Sequence, residues 1–360
     1  MSANQHSLNL SVSKPNTVAP TVKAIRASRA TGRVTIVDVA RAAGVSSMTV
    51  SRALKTPERV QQDAHERIAA AIKQLGYVPN KAASILASAR SQVIGVLVPS
   101  LTNTVFIDTL SGIRDYLAQA GYQFLIGETG YSREQERQLI STYLAHAPDG
   151  FLLSSADQCE MLRQQLNGGD IPAVSMFDLG KSKNAMSVGF SQTKAGYAVA
   201  QHLIERGYRR PGLMSAQLDP RMMKRRDGFR KGLADAGRDP NIEVMLPLPT
   251  TVDMGAQLLG RLLQQYPDCD AVFCCNDDLA LGALFECQRR GIKVPQQMAI
   301  AGFNDLSWAA CATPSITTVI TPRYDIGHKA AQMLIQQLNG ETIAKARLDL
   351  GFQLAVREST

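Results

Sequence analysis

VTIVDVARAAGVSSMTVSRAL, residues 34–54, decides how the rest of the chain is read. It reads as two short helices joined by a tight turn. The first covers about residues 36–43, with Val37, Ala40 and Ala43 along one side. Gly44 then ends it, because a residue without Cβ enters the left-handed conformation freely. Ser46 and Ser47 follow as N-cap candidates, since a hydroxyl can accept from the free N–H groups of a new turn. The second helix covers roughly residues 48–54. Val45, Val50 and Leu54 point inward there, leaving Ser47, Met48, Thr49, Ser51 and Arg52 outward. Small, polar and basic side chains at the exposed start of a second helix are what reading a major groove requires. An ordinary helical hairpin with a solvated face has the same spacing, so the surrounding chain must decide.

Downstream, Pro57 opens a loop and residues 62–75 form a third helix, with Ala64, Ile68, Ala71, Ile72 and Leu75 as its apolar stripe. Charge separates this region from the remainder of the chain. Residues 1–90 carry 13 Lys/Arg against four Asp/Glu, and residues 91–360 carry 26 against 27. A basic first quarter on a neutral body indicates a polyanion-binding head. Residues 1–33 lack any acid and contain Pro15 and Pro20, which predicts a disordered basic arm. Residues 34–78 form the helix-turn-helix domain. Residues 79–91 are either a linker or a short helix that folds only against a partner.

From residue 92 to 360 the texture changes to apolar strands alternating with helices. Continuous apolar strands with intervening helices mean parallel, doubly wound α/β sheets. So long a stretch exceeds one sheet, and two lobes with a ligand cleft between them are expected. No dinucleotide fingerprint, phosphate loop, nucleophile elbow or zinc spacing occurs, and the five His are scattered. Neither a catalytic set, a metal site nor a cofactor is expected. The six Cys read as reduced thiols. With neither a membrane-spanning run nor a signal-peptide pattern, a cytoplasmic location is expected.

Ligands of open α/β sheets sit beyond the carboxyl ends of the strands. That rule points to loops including residues 99–106, 128–131, 177–178, 216–224, 276–277, 303–305 and 321–323. These loops and the helix starts beside them offer Ser100, Asn103, Phe106, Arg221, Arg225, Asn276, Asn304 and Arg323 as effector contacts. Arginine grips a carboxylate or phosphate in a planar fork, and Asn both donates to and accepts from hydroxyls. The mixture suits a small anionic polyol.

Residues 34–54 together with LGYVPNKAASILA (75–87), IGVLVP (94–99), CCNDDLALGA (274–283) and IAGFNDL (300–306) resemble the lac repressor (LacI/GalR) family over nearly all of residues 34–358. PSLTNTVF (99–106), TPR (321–323) and LDLGF (348–352) resemble its gluconate-operon repressor subgroup. The resemblance implies that Ser47, Met48 and Arg52 read bases, with Ser46, Thr49 and Ser51 near phosphates. It implies a hinge helix at residues 80–89, where Asn80, Lys81 and Ala83 meet the DNA and Leu86 wedges into the minor groove. The body resembles periplasmic sugar-binding proteins. A homodimer, or a tetramer, on a near-palindromic double-stranded operator follows from the family pattern. Phe106, Arg225 and Asn276 match ligand-contact positions. Asn304 stands where many members have Asp, and Arg323 where the lac repressor has a ring. Both changes move the pocket towards an anion. Gluconate is the expected effector, with 2-ketogluconate, 6-phosphogluconate and idonate as alternatives. A solute-binding protein for sugar acids is the rival from another class.

Overall fold

The computed structural model describes residues 34–78, 90–165, 171–180 and 185–360. The basic arm, Asn80, Lys81, Ala83 and Leu86 lie outside these residues. Compactness divides the chain into two units, Met1–Ala89 and Arg90–Thr360.

The first unit contains α1 (Ile36–Ala43), α2 (Ser47–Lys55), a 3-10 turn (Pro57–Arg59) and α3 (Gln62–Leu75). Local chemistry sets each boundary. The Asp38 carboxylate accepts from the Thr35 backbone N–H at 3.0 Å and from its hydroxyl at 2.7 Å, closing the start of α1. Gly44, at φ 64°, ends the helix. The Ser46 hydroxyl then accepts from the Thr49 N–H at 3.1 Å and starts α2. The core is Val39, Ala40, Ala43, Val50, Ala53 and Ile68, with Ala71 and Tyr77. Two sequence assignments change. Val37 is 51% exposed and Leu54 40%, while Val39 and Ala53 take the inward places. α1 is apolar at most positions, so its periodicity does not single out one face.

The second unit carries twelve strands among the described residues. In chain order they are β1 (Val93–Val98), β2 (Gln123–Glu128), β3 (Gly150–Leu153), β4 (Ala173–Phe177), β5 (Ser187–Gly189), β6 (Pro211–Ala216), β7 (Glu243–Leu246), β8 (Ala271–Cys274), β9 (Ala299–Asn304), β10 (Thr317–Ile320), β11 (Arg347–Asp349) and β12 (Gln353–Ala355). The helices between them are α4 (Val105–Gln119), α5 (Arg133–Leu144), α6 (Ala156–Gln165), α7 (Gln192–Glu205), α8 (Pro220–Asp235), α9 (Val252–Gln265), α10 (Asp277–Arg290), α11 (Ser307–Cys311) and α12 (Arg323–Leu338).

Two six-stranded sheets result, in the orders β11-β5-β4-β3-β1-β2 and β12-β10-β9-β8-β6-β7. All pairings are parallel except β12 against β10. Each sheet with its helices is one lobe. α4 and α12 pack together on the first, and α7 with α8, and α9 with α10, on the second. The chain therefore passes between lobes after β5, after β10 and after β11. Strand order reverses beside β1 in one lobe and beside β6 in the other, which is where a doubly wound sheet opens a crevice.

Candidate DNA-reading face and effector cleft

On α2 the outward side chains are those a groove reader needs. Met48 is 71% exposed, and the Arg52 guanidinium is exposed and makes no hydrogen bond to the described residues. Ser46 caps the helix and also pairs with the Thr49 hydroxyl at 2.9 Å, so these two present a fixed polar corner. Ser47, Thr49 and Ser51 are half-buried along the same helix.

In the second unit, the carboxyl ends of β1–β4 and of β6 and β7 enclose a cavity of about 390 Å³. Its walls include Thr129, Tyr131, Glu136 and Asp178 from one lobe, and Asp219, Arg221 and Lys224 from the other. The backbone is strained around it. Of the non-glycine residues with positive φ, Tyr131, Phe177, Gln217, Asn304 and Asp305 all lie at strand ends on this edge, Asn304 at 110°. Such outliers persist where the surroundings over-determine them, as at ligand sites.

α8 supplies three cations. Asp219 caps the helix, accepting from the Arg221 N–H at 2.8 Å, and pairs with the Arg221 guanidinium at 3.2 Å. Burial works to raise the Asp219 pKa, but adjacent Arg221 outweighs it and holds the carboxyl below its ordinary range. The guanidinium lies 5.6 Å from the Phe106 ring centre and 5.4 Å from that of Phe177. These two rings meet edge-on at 5.4 Å. Lys224 forms an ion pair with Asp178 across the cleft.

Arg225 is different. It is 5% exposed, and its guanidinium stacks 3.7 Å from the Phe303 ring centre. Nε donates to Gln192 Oε1 at 2.7 Å and Nη1 to the Cys275 carbonyl at 2.7 Å. Gln192 is in turn anchored by donating to the Phe177 carbonyl at 2.7 Å. Nη2 takes no partner among the described residues, and no carboxylate lies within ion-pair distance. Burial pulls the Arg225 pKa down to about 10. A buried cation with neutral partners and a spare donor has the chemistry to hold an anion.

Arg323 is committed elsewhere. It grips Asp108 of α4 through Nε at 3.0 Å and Nη2 at 2.8 Å, and Nη1 donates to the Asn304 carbonyl. It thus ties the first lobe to the end of β9. The Asn276 side chain accepts from the Leu279 N–H at 3.0 Å as the α10 cap, and its amide N–H groups take no partner among the described residues. Ser100 and Asn103 shape their own loop. The Ser100 hydroxyl accepts from the Asn103 N–H at 3.2 Å, and the Asn103 side chain from the Val105 N–H at 3.0 Å. Of the sequence candidates, Arg221 alone lines the cavity. Phe106 packs on it, Arg225 sits one helical turn further, and Asn304 and Arg323 form a separate bonded pair.

The strand-end rule reached the loops that hold Thr129, Asp178, Asp219 and Lys224 without singling those residues out, and it did not reach Asp108, Glu136 or Gln192. Asp219 had a signal, an Asp before a Pro at a helix start. Asp277, inside the 276–277 loop, was not singled out either. Fully buried, it accepts from the Leu306 N–H at 2.7 Å and the Thr318 hydroxyl at 2.6 Å, holding the loop that follows Asn304. Burial raises its pKa to about 6. The folded pKa exceeds the unfolded one near 3.8. Its contribution to stability is therefore fully present below the unfolded value and is lost as pH rises through about 6. Wild type should gain about 2 kcal/mol over Asp277→Asn between pH 7 and pH 4, most of what a shift of about two units supplies. Urea unfolding across that range checks this, and parallel stability curves would exclude it.

Comparisons with known proteins agree with this architecture. The model for periplasmic binding proteins and the sugar-binding domain of the LacI family matches residues 91–354, and that for bacterial regulatory proteins of the lacI family matches residues 35–80. The HTH-type transcriptional regulator GntR of Pseudomonas aeruginosa is 46% identical over 92% of this chain and 97% of its own length. The crystal structure of transcription regulator GntR from Chromobacterium violaceum is 51% identical, covering 74% of this chain and 98% of its own, with TM-score 0.70. A LacI-family regulator from Silicibacter pomeroyi is 32% identical over 91% of this chain and 99% of its own, with TM-score 0.84. The molecule is a regulator, not an enzyme: a helix-turn-helix head that binds DNA and a two-lobed body that binds a ligand. The chain belongs to the LacI family of bacterial transcriptional regulators.

Proposed function

We propose that this protein represses sugar-acid catabolic genes, with gluconate as effector, and leaves a near-palindromic operator when the effector binds. Arg225 carries the reading: a buried guanidinium with neutral partners calls for an anionic ligand. The resemblance to the gluconate-operon subgroup and the amide of Asn276 support a polyhydroxy acid. Ser100, Asn103, Phe106, Arg221, Asn276, Asn304 and Arg323 complete the proposed effector site around it.

The effector's carboxylate meets Arg225, or Arg323 if it displaces Asp108. Binding shifts the lobes only to the extent that it favours one arrangement over another. The proposed hinge, residues 79–91, transmits the shift to the head. There Ser47, Met48 and Arg52 read bases and Ser46, Thr49 and Ser51 lie near phosphates, while Asn80, Lys81 and Ala83 meet the DNA and Leu86 enters the minor groove. Two copies bind the two half-sites in the cytoplasm. The groove between α9 and α10, where Phe285 is 45% exposed beside Glu286 and Arg289, is an apolar and charged face suited to pairing them.

The test is fluorescence anisotropy on a DNA fragment selected from random sequence by repeated binding. Gluconate should weaken affinity by roughly tenfold or more, in the usual range of coupling between sites. No change in DNA affinity would refute the effector. In the same assay Arg52→Ala should lower specific affinity about tenfold or more, as losing a bidentate guanine contact does, and leave non-specific binding nearly unchanged. Equal losses in both would remove Arg52 from base reading.

A further inference from the structure

We propose that the cleft selects a ligand with one negative charge, and that the cavity beside Arg225 takes the uncharged polyhydroxy end and rejects a phosphate. The inference rests on the sugar-acid reading and narrows it. It follows from which charges in the cleft already have partners. Arg221 is paired with Asp219 at 3.2 Å, Lys224 with Asp178, and Arg323 with Asp108 at 2.8 Å. At the rim, Arg133 faces Asp157 at 3.4 Å. Among these cations of the described residues, Arg225 alone has no carboxylate within ion-pair distance. One uncompensated buried cation accommodates one anion, and a carboxylate supplies it.

The rest of the ligand extends from Arg225 towards Tyr131, which lies within electrostatic reach of Arg225 and lines the cavity. The inner wall there holds two cations, Arg221 and Lys224, against three carboxylates, Asp178, Asp219 and Glu136. Glu136 is fixed by a bond from Gln158 Nε2 at 2.7 Å. A phosphate placed here would meet no unpaired cation and three fixed acceptors. A hydroxyl would be welcome, because carboxylates accept from it and paired cations still have N–H groups to donate. Thr129 supplies an independent pointer. It lines the cavity, is fully buried, and its hydroxyl has no hydrogen-bond partner among the described residues. Such a group costs stability unless something polar in the cavity satisfies it.

Calorimetric titration of the full chain with three probes tests the charge rule: D-glucitol, D-gluconate and 6-phosphogluconate. They share a six-carbon polyol and differ in charge. Gluconate should bind at least about tenfold more tightly than either of the others, the minimum for a specific ion pair gained or a repulsion avoided. Affinity for 6-phosphogluconate equal to or above that for gluconate overturns the selection and leaves the sugar-acid reading standing. Glucitol binding as well as gluconate overturns the need for a charge. If none of the three binds, the sugar-acid reading falls and the charge rule with it. Asp219→Asn keeps a good helix cap while releasing the Arg221 guanidinium. It should shift preference towards 6-phosphogluconate by about fivefold or more. An unchanged ratio overturns the role given to the carboxylates.

Discussion

Gly228→Ala is expected to cost the second unit about 3 kcal/mol or more, the upper end for overpacking a close contact. A Cβ added at Gly228 of α8 would stand 1.9 Å from the Thr193 carbonyl oxygen of α7. Across the same crossing, a Cβ at Gly196 would stand 2.0 Å from the Arg225 carbonyl oxygen. Both obstacles are backbone, so no rotamer relieves them and the two helices must move apart. α8 carries Arg221, Lys224 and Arg225, so effector affinity should fall together with stability. Gly260→Ala provides the contrast. Its nearest neighbour would be the flexible end of Arg290, at 3.0 Å. The better helix propensity of Ala should leave that variant neutral or stabler by up to about 1 kcal/mol. Urea unfolding of both variants decides the matter. A Gly228→Ala protein within about 1 kcal/mol of wild type would show that the α7–α8 crossing tolerates a methyl group and does not constrain the fold.

The same device recurs at two other helix pairs. Cβ atoms at Gly112 and Gly327 would strike the Tyr324 and Thr109 carbonyls between α4 and α12, and at Gly255 and Gly282 those of Leu279 and Val252 between α9 and α10. None of this was legible in the sequence, where a glycine inside a helix only weakens the assignment. What was legible was local. Gly44 ended α1 and Ser46 started α2 where the sequence placed them, whereas the Thr35 cap emerged only from the fold, and strands buried on both faces read as continuous apolar runs. α6 and β7 carry little sequence signal, because ADQCEMLRQQ is mostly polar and EVML is short and half-exposed at a sheet edge. α8 begins at Pro220 because Asp219 caps it. In the cleft, residue types were legible and pairings were not. Arg225 and Arg323 look alike in sequence, yet the groups that distinguish them lie 33 and 215 residues away in the chain.

Arg225→Met is expected to abolish effector binding, lowering gluconate affinity about 100-fold or more, while changing stability by no more than about 2 kcal/mol. Losing one partner of a buried ion pair costs about 3–5 kcal/mol, and here the whole loss falls on the complex because the counter-ion is the ligand. Stability is nearly spared because two effects oppose. Burial pulls the Arg225 pKa down to about 10, so the folded protein disfavours the charged form, a cost that Met relieves. Against this, Gln192 Oε1 and the Cys275 carbonyl each lose a donor, at about 1–3 kcal/mol each. Met also keeps an apolar body against Phe303. A folded protein that still binds DNA but ignores gluconate is thus the signature of Arg225 as the carboxylate receptor. Arg225→Lys sharpens the point, since an ammonium keeps the charge without the fork that spans Gln192, Cys275 and a ligand. It should recover part of the lost affinity and not all of it. Calorimetric titration and thermal melts of both variants are the measurements. Wild-type gluconate affinity in Arg225→Met would place the carboxylate on Arg323 in place of Asp108.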